Sequence, residues 1–192
     1  MVDFDSARVR SDIANTRTPL NEAMHVPGYI YQSEEVFALE KERIFMKEWI
    51  CTIREEQISN PGDYVAMRLV GEPFIICRNK EGKINAFANM CAHRGVEVVS
   101  GEGNVERFSC PYHAWSYDLD GNLLNAPHFG GTNNHTPKGF NKKKNGLKSI
   151  RIKIWHDWIF ININNKALPF EKYASKLIKQ LHDINFKNIK PV

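Results

Sequence analysis

Two short loops, each with one cysteine and one histidine, constrain this 192-residue chain more than any other feature of its sequence. The first loop carries Cys91 and His93, the second carries Cys110 and His113, and 16 residues separate the two pairs. Thiolate and imidazole are metal ligands, and two of them on one tight loop can point at one centre. Core packing explains these pairs poorly, because both lie in polar, turn-rich sequence. A sheet that brings the two loops together would therefore create a metal site.

Two kinds of metal centre fit this set of ligands. Two thiolates on one iron and two histidines on a second iron are the ligands of a Rieske [2Fe–2S] cluster. Two cysteines and two histidines can also hold a structural zinc ion. Zinc sites usually take two cysteines from one half and two histidines from the other, whereas each half here supplies one of each. The spacing favours the iron–sulfur cluster over zinc.

Short β-rich segments separated by turns occupy the middle of the chain. Turn sequences such as Asn60-Pro61-Gly62-Asp63 and Asp120-Gly121 are typical of hairpins between antiparallel strands. With no helical pattern between the strands, the sequence predicts a mainly β, antiparallel domain that presents the two loops. The predicted strands are 49–54, 64–70, 74–78, 83–88, 115–119, 122–124, 147–155 and 158–162.

Helices are predicted on both sides of the β domain. Residues 1–32 contain breakers and are expected to be extended, after which Ser33 is predicted to cap a helix over 34–47. After Pro169, apolar residues recur at helical spacing and predict an amphipathic helix over 170–184. The predicted domains are 1–48, an N-terminal extension and helix; 49–165, the metal-binding β domain; and 166–192, a C-terminal helix and tail.

Composition and charge limit the compartment and the partners. No apolar run approaches the roughly 20 residues of a transmembrane helix, and the polar N-terminus lacks the apolar segment of a secretory signal. We therefore expect a cytoplasmic protein without a membrane partner. Residues 131–192 carry 13 basic and 3 acidic residues, a formal net charge of +10. A solvated lysine-rich surface or an acidic protein partner explains this charge; the absence of a nucleic-acid motif argues against nucleic acid.

The sequence around the two loops resembles the N-terminal Rieske domain of the large (alpha) subunit of Rieske non-haem iron oxygenases, the aromatic-ring-hydroxylating enzymes and their relatives. The resemblance implies that Cys91 and Cys110 bind one iron of the [2Fe–2S] cluster, and that His93 and His113 bind the other. It also implies that the histidine edges are the electron port. The resembling segments are 45–49, 60–64, 71–75, 85–98, 108–127 and 158–162.

The resemblance also implies a function in electron transfer. Such a domain takes single electrons from a reductase or ferredoxin and passes them to a mononuclear iron in the oxygenase catalytic domain. That iron needs two histidines and a carboxylate, which the remaining histidines do not supply, so we expect the chain to end about where the catalytic domain begins. We predict an oxidoreductase component of a dioxygenase or monooxygenase, forming a homotrimer if full-length; the alternative is a stand-alone Rieske ferredoxin.

Several other residues carry narrower expectations. Cys51 and Cys77 lie in apolar strands and are expected to be buried. Trp115 is interpreted either as a core aromatic residue or as a residue that tunes the cluster. Ala114 departs from the glycine most common at its position in the family. Two further histidines are expected to be exposed loop residues, His128 and His135.

Overall fold

Two structural units divide the chain, Met1–Met46 and Lys47–Val192. The computed structural model describes residues 6–133, 135 and 137–184. The described part of the first unit contains short helical elements, so the prediction of an extended chain over 1–32 is wrong at residues 6–12, 14–17 and 28–32, whereas residues 1–5 lie outside the described residues. The proline breakers separate short helical segments instead of enforcing an extended chain. These segments are α1 (Ser6–Asp12), α2 (Glu34–Glu40) and the 3₁₀ turns Ala14–Arg17 and Gly28–Gln32.

Helix α2 begins as the sequence predicts but ends differently. The Ser33 hydroxyl accepts a hydrogen bond from the Val36 amide at 3.2 Å, which confirms the N-cap. After Glu40 the chain widens into a π-helical turn, Lys41–Phe45. The π turn adds a residue to one helical turn and thereby shifts the side chains that follow around the axis. Val36 is the buried residue of α2.

Among its described residues, the second unit contains three antiparallel sheets, which confirms the mainly β class. Their strand orders are β1-β10-β9, β4-β3-β2-β5 and β6-β7-β8. Every predicted strand overlaps an observed one, whereas the short strands β5 and β6 escaped prediction. The strands are β1 (Ile50–Arg54), β2 (Asp63–Leu69), β3 (Glu72–Arg78), β4 (Ile84–Ala88), β5 (Glu102–Asn104), β6 (Phe108–Ser109), β7 (Ser116–Tyr117), β8 (Leu123–Asn125), β9 (Arg151–Trp155) and β10 (Trp158–Asn162).

Strand β3 separates two hydrophobic cores. Successive side chains of a strand point to opposite faces of the sheet. Ile75 and Cys77 accordingly join the core that contains the metal-site cysteines, and Phe74 and Ile76 join the core beneath β1 and β10. Burial on both faces explains the continuous apolar run of β3 and confirms that Cys77 is buried.

The prediction for Cys51 is wrong, because this residue is exposed. It lies on β1, which is an edge strand of its sheet. The pairing of β1 with β10 also changes register between Cys51 and Arg54. The irregularity explains why Cys51 and Ile53 do not share a buried face, although regular alternation would place them together.

The C-terminal apolar pattern forms two short helices, α3 (Phe170–Tyr173) and α4 (Ser175–Gln180), rather than one continuous helix. The break lies at Ala174, whose backbone leaves helical geometry at φ −90° and ψ 10°. Phe170 packs edge-on against Trp49 with ring centroids 5.7 Å apart, and this contact anchors the pair of helices. Within the described residues, no helix has the length and apolar character needed to cross a membrane.

Candidate metal centre

The two Cys/His loops have the same backbone design. In the first loop, which follows β4, the Cys91 carbonyl accepts from the Gly95 amide and the Cys91 amide donates to Val96, both at 2.8 Å. In the second loop, between β6 and β7, the Cys110 carbonyl accepts from Ala114 at 3.0 Å and the Cys110 amide donates to Trp115 at 2.8 Å. Each cysteine therefore closes a tight turn that contains the histidine of its loop.

The fourth residue after each cysteine lies in the left-handed region of backbone conformation. Gly95 has φ 72° and Ala114 has φ 55°. A side chain in this region costs about 1–2 kcal/mol, whereas glycine adopts it freely. The structure thus explains why glycine is common at the position that Ala114 occupies here.

We expect the substitution Ala114→Gly to stabilise the protein by about 0.5–1 kcal/mol. Relief of left-handed strain exceeds the added flexibility of the unfolded chain, which costs roughly 0.4–1 kcal/mol. Guanidinium denaturation at equal cluster loading measures the change. The reverse substitution Gly95→Ala is the matched control and should destabilise, because alanine is strained at φ 72°. A steric clash does not contribute, since the added Cβ makes only an ordinary contact with the end of Met90, at 3.7 Å. Stabilisation by both substitutions would contradict the strain argument.

All four predicted metal-site residues lie together in the structure. Cys91 and Cys110 are buried in the same hydrophobic core, close enough for Cys110 to influence the Cys91 thiol. The His93 and His113 rings face one another, with centroids 4.6 Å apart, and are partly exposed. The two cysteines therefore lie together and the two histidines lie together, although each loop carries one cysteine and one histidine.

Two buried nitrogens test whether a cluster fits this arrangement. The Nδ1 atoms of His93 and His113 are buried and have no hydrogen-bond partner within the described structure. A buried polar atom without a partner costs roughly 1–3 kcal/mol of folding free energy. A bound metal ion would remove this cost at each nitrogen. Two neighbouring imidazole nitrogens beside two neighbouring thiols match the requirement of two protein ligands on each of two irons.

The titration behaviour of these groups also follows from their burial. Burial raises the pKa of the Cys91 thiol, and the hydrogen bond with Tyr117 opposes this rise. For His93, burial and then the neighbouring His113 and Arg94 lower the pKa. A neutral imidazole is the form that binds metal. No three His, Cys, Asp or Glu side chains in the described ranges form a site for a single metal ion.

Sequence reasoning missed Tyr117, which lies beside the cysteines. Its hydroxyl is 3.1 Å from the Cys91 sulfur and accepts a hydrogen bond from the Ala92 amide at 3.0 Å. Because the amide supplies the proton of that second contact, the hydroxyl proton is free to point at sulfur. Burial raises the pKa of Tyr117, which keeps the phenol protonated. Hydrogen bonds to cluster sulfurs are one determinant of reduction potential.

Trp115 covers one face of His93. The two rings are stacked, 4.8 Å apart and 6° from parallel, and Trp115 is only 1% exposed. Phe129 and Phe140 pack edge-on against Trp115 at 5.2 and 5.8 Å. Trp115 is thus a core residue that also contacts a predicted ligand. Sequence analysis missed the two phenylalanines, because they lie outside the segments whose resemblance to the family it recognised.

The remaining site residues differ in exposure. Tyr112 is 56% exposed and lies against His113 with ring centroids 3.8 Å apart. His128 and His135 are exposed, as predicted, and the His128 amide donates to the Nδ1 atom of His135 at 2.9 Å. The four cysteines form no disulfide bonds.

Comparison with known proteins agrees with this geometry. The family described as Rieske [2Fe-2S] domain matches residues 48–137. The carnitine monooxygenase oxygenase subunit of Escherichia coli (strain K12) is 35% identical over 151 residues, covering 78% of this chain and 39% of the relative. Benzene 1,2-dioxygenase subunit alpha of Pseudomonas putida is 34% identical over 151 residues, covering 77% and 32% respectively. The chain thus spans about two fifths or less of the length of these relatives.

Solved structures show the same relationship. A quaternary ammonium Rieske monooxygenase in complex with L-carnitine has a TM-score of 0.69 at 34% identity, covering 80% of this chain and 44% of that protein. Naphthalene 1,2-dioxygenase from Rhodococcus sp. has a TM-score of 0.77 at 29% identity, covering 90% and 38%. The chain therefore contains a Rieske domain with a Rieske-type [2Fe–2S] cluster as its cofactor, and it corresponds to the N-terminal part of Rieske oxygenase alpha subunits.

Proposed function

We propose that this chain is the electron-transfer domain of a Rieske oxygenase alpha subunit. It takes single electrons from a reductase or ferredoxin and delivers them to a mononuclear non-haem iron held by an oxygenase catalytic domain outside these residues. The bound cluster supplies reversible one-electron chemistry. The observation that carries the proposal is the meeting of two thiols and two imidazoles whose buried Nδ1 atoms have no other partner.

In this proposal, each pair of like residues holds one iron. Cys91 and Cys110 hold the iron that faces the protein core, and both are less than 5% exposed. His93 and His113 hold the iron that faces outward, since both rings are partly exposed. An electron that enters or leaves through the imidazole edges crosses less protein than one that passes through the cysteines. The histidine pair is therefore the electron port.

Similarity outside the cluster-binding segment supports an oxygenase subunit over a stand-alone ferredoxin. The family match ends at residue 137, yet the naphthalene dioxygenase structure covers 90% of the chain. We assign residues 49–165 to the Rieske domain, 1–48 to an N-terminal extension and 166–192 to the start of the catalytic domain. The division between Met46 and Lys47 supports the first boundary.

The proposal also covers the assembly and the location of the whole protein. One matched structure, a quaternary ammonium Rieske monooxygenase, is described in terms of inter-subunit electron transfer. We propose the same arrangement for the complete subunit, in a homotrimer. The lack of disulfide bonds among the four cysteines suits a reducing compartment such as the cytoplasm.

Metal analysis and reductive titration of the anaerobically purified protein test the function. We expect a red-brown protein with about two irons and two acid-labile sulfides per chain. Dithionite should add about one electron per cluster and produce a rhombic EPR signal. An added oxidant should reverse this reduction. Colourless protein with stoichiometric zinc would contradict the proposal, and so would a cluster that no reductant can reduce.

A further inference from the structure

The segment between β8 and β9 carries a cluster of lysines that the proposed function leaves unexplained. We call Lys138, Lys142, Lys143 and Lys144 the lysine surface. The last three form a 3₁₀ turn, in which the Asn141 side chain accepts a hydrogen bond from the Lys143 amide at 2.9 Å. The Lys142 ammonium donates to the Leu124 carbonyl at 2.9 Å. The backbone of the turn is thereby anchored to the domain.

Aromatic contacts connect this segment to the metal centre. The Phe140 and Phe129 rings lie 4.6 Å apart, and Phe129 is 6.0 Å from the His93 ring. Lys138 and Lys142 are each two residues from Phe140, so their Cα atoms lie within about 8 Å of that of Phe140. The lysine surface therefore lies next to the phenylalanines that connect it to His93.

The charges of three lysines of this surface have no opposite charge beside them within the described residues. Lys138, Lys143 and Lys144 are exposed, and none forms an ion pair with the part of the chain that the structure describes. Leu124 also lines a groove with four acidic residues and two basic ones, Lys80 and Arg107.

We infer that the lysine surface is the docking surface for an acidic electron-donor protein. This inference rests on the proposed function and adds the chemistry of the partner. Exposed charges contribute little to folding, whereas a cluster of one sign raises the association rate of an oppositely charged protein by about 10- to 1,000-fold. The donor loses one electron and the cluster gains it, with no bond made or broken. Docking here brings the donor to the edge of the histidine pair.

Stopped-flow reduction of the cluster-loaded chain by an acidic plant-type [2Fe–2S] ferredoxin tests the inference. Such ferredoxins are more reducing than Rieske centres, so the transfer is downhill. In the triple variant Lys138→Glu, Lys143→Glu and Lys144→Glu, we expect the second-order rate constant at low ionic strength to fall at least about tenfold. The difference should shrink near 0.5 M salt, where screening is strong. Calorimetric titration of the two oxidised proteins should show the same loss of affinity.

A matched triple variant controls for net charge. Lys172→Glu, Lys176→Glu and Lys179→Glu make the same change on exposed positions of the C-terminal helices, which belong to a different hydrophobic cluster. We expect less than about a threefold effect there when both variants are compared at about 0.1 M ionic strength, where the Debye length is about 10 Å. The methyl viologen radical cation is a second control, since it should reduce the first triple variant at least as fast as the wild type.

Each outcome separates the inference from the function it rests on. Equal losses in both triple variants, or no loss in the first with its cluster intact, would overturn the inference alone. Lysine-dependent retention of duplex DNA with an unchanged ferredoxin rate would overturn it in favour of a nucleic-acid surface. A wild-type chain that assembles no cluster would overturn both. If the triple Lys→Glu variant of the lysine surface loses its cluster, the triple Lys→Gln variant at the same positions replaces it. The rate constant for reduction by ferredoxin must then still fall about threefold.

Discussion

Replacing His113 with alanine should reduce the cluster content of the purified protein to less than about a tenth of wild type. His113 supplies one of the two unpartnered imidazole nitrogens of the site, and no other histidine contacts that ring except His93 among the described residues. Loss of groups that merely orient metal ligands already costs 10- to 100-fold in metal affinity, so loss of a ligand should cost at least as much. Iron and sulfide analysis, with the visible spectrum, measures the effect.

The control for this substitution is His128→Ala. His128 is exposed and contacts His135, so its removal should leave the cluster content unchanged. Equal loss from the two variants would show that the ligands are misassigned. The thermal unfolding of both proteins should be compared as well, because a general failure to fold would lower the cluster content without any role in ligation.

Replacing Trp115 with alanine should destabilise the domain by about 3–5 kcal/mol, the usual range for deleting a buried tryptophan. The side chain is 1% exposed and touches His93, Phe129 and Phe140. Its removal leaves a cavity and also uncovers one face of the His93 ring. Guanidinium denaturation at matched cluster loading measures the loss, and the EPR spectrum of the reduced protein reports the change at His93.

Trp158→Ala is the matched control, because Trp158 is a tryptophan that contributes little to stability. Trp158 is 42% exposed and lies at 5.6 Å from the Arg54 guanidinium. An exposed cation–π contact is worth about 0.5–1 kcal/mol, so the expected loss is of that order. The EPR spectrum should not change. A loss for Trp158→Ala equal to that for Trp115→Ala would contradict the view that Trp115 is central to the core.

Prediction from sequence succeeded where local chemistry decides the structure. Hairpin turns and alternating apolar residues located the longer strands to within a few residues, because both signals depend on near neighbours. Strands β5 and β6 escaped, since three and two residues are too short for a periodic pattern. The prediction of helix after Pro169 was correct, but the break at Ala174 has no strong local signal in the sequence.

The ligand residue types, their spacing and the tight turns around them were decided by the sequence alone. A cysteine and a histidine on one short loop need no distant contact to be recognised as a pair. Only the tertiary structure decided that the cysteines meet each other and the histidines meet each other, because the packing of separate sheets brings the two loops together. The same packing places Tyr117 on the Cys91 sulfur and Phe129 on the His93 ring. Those pairs are 26 and 36 residues apart, a separation at which sequence patterns carry no information about contact.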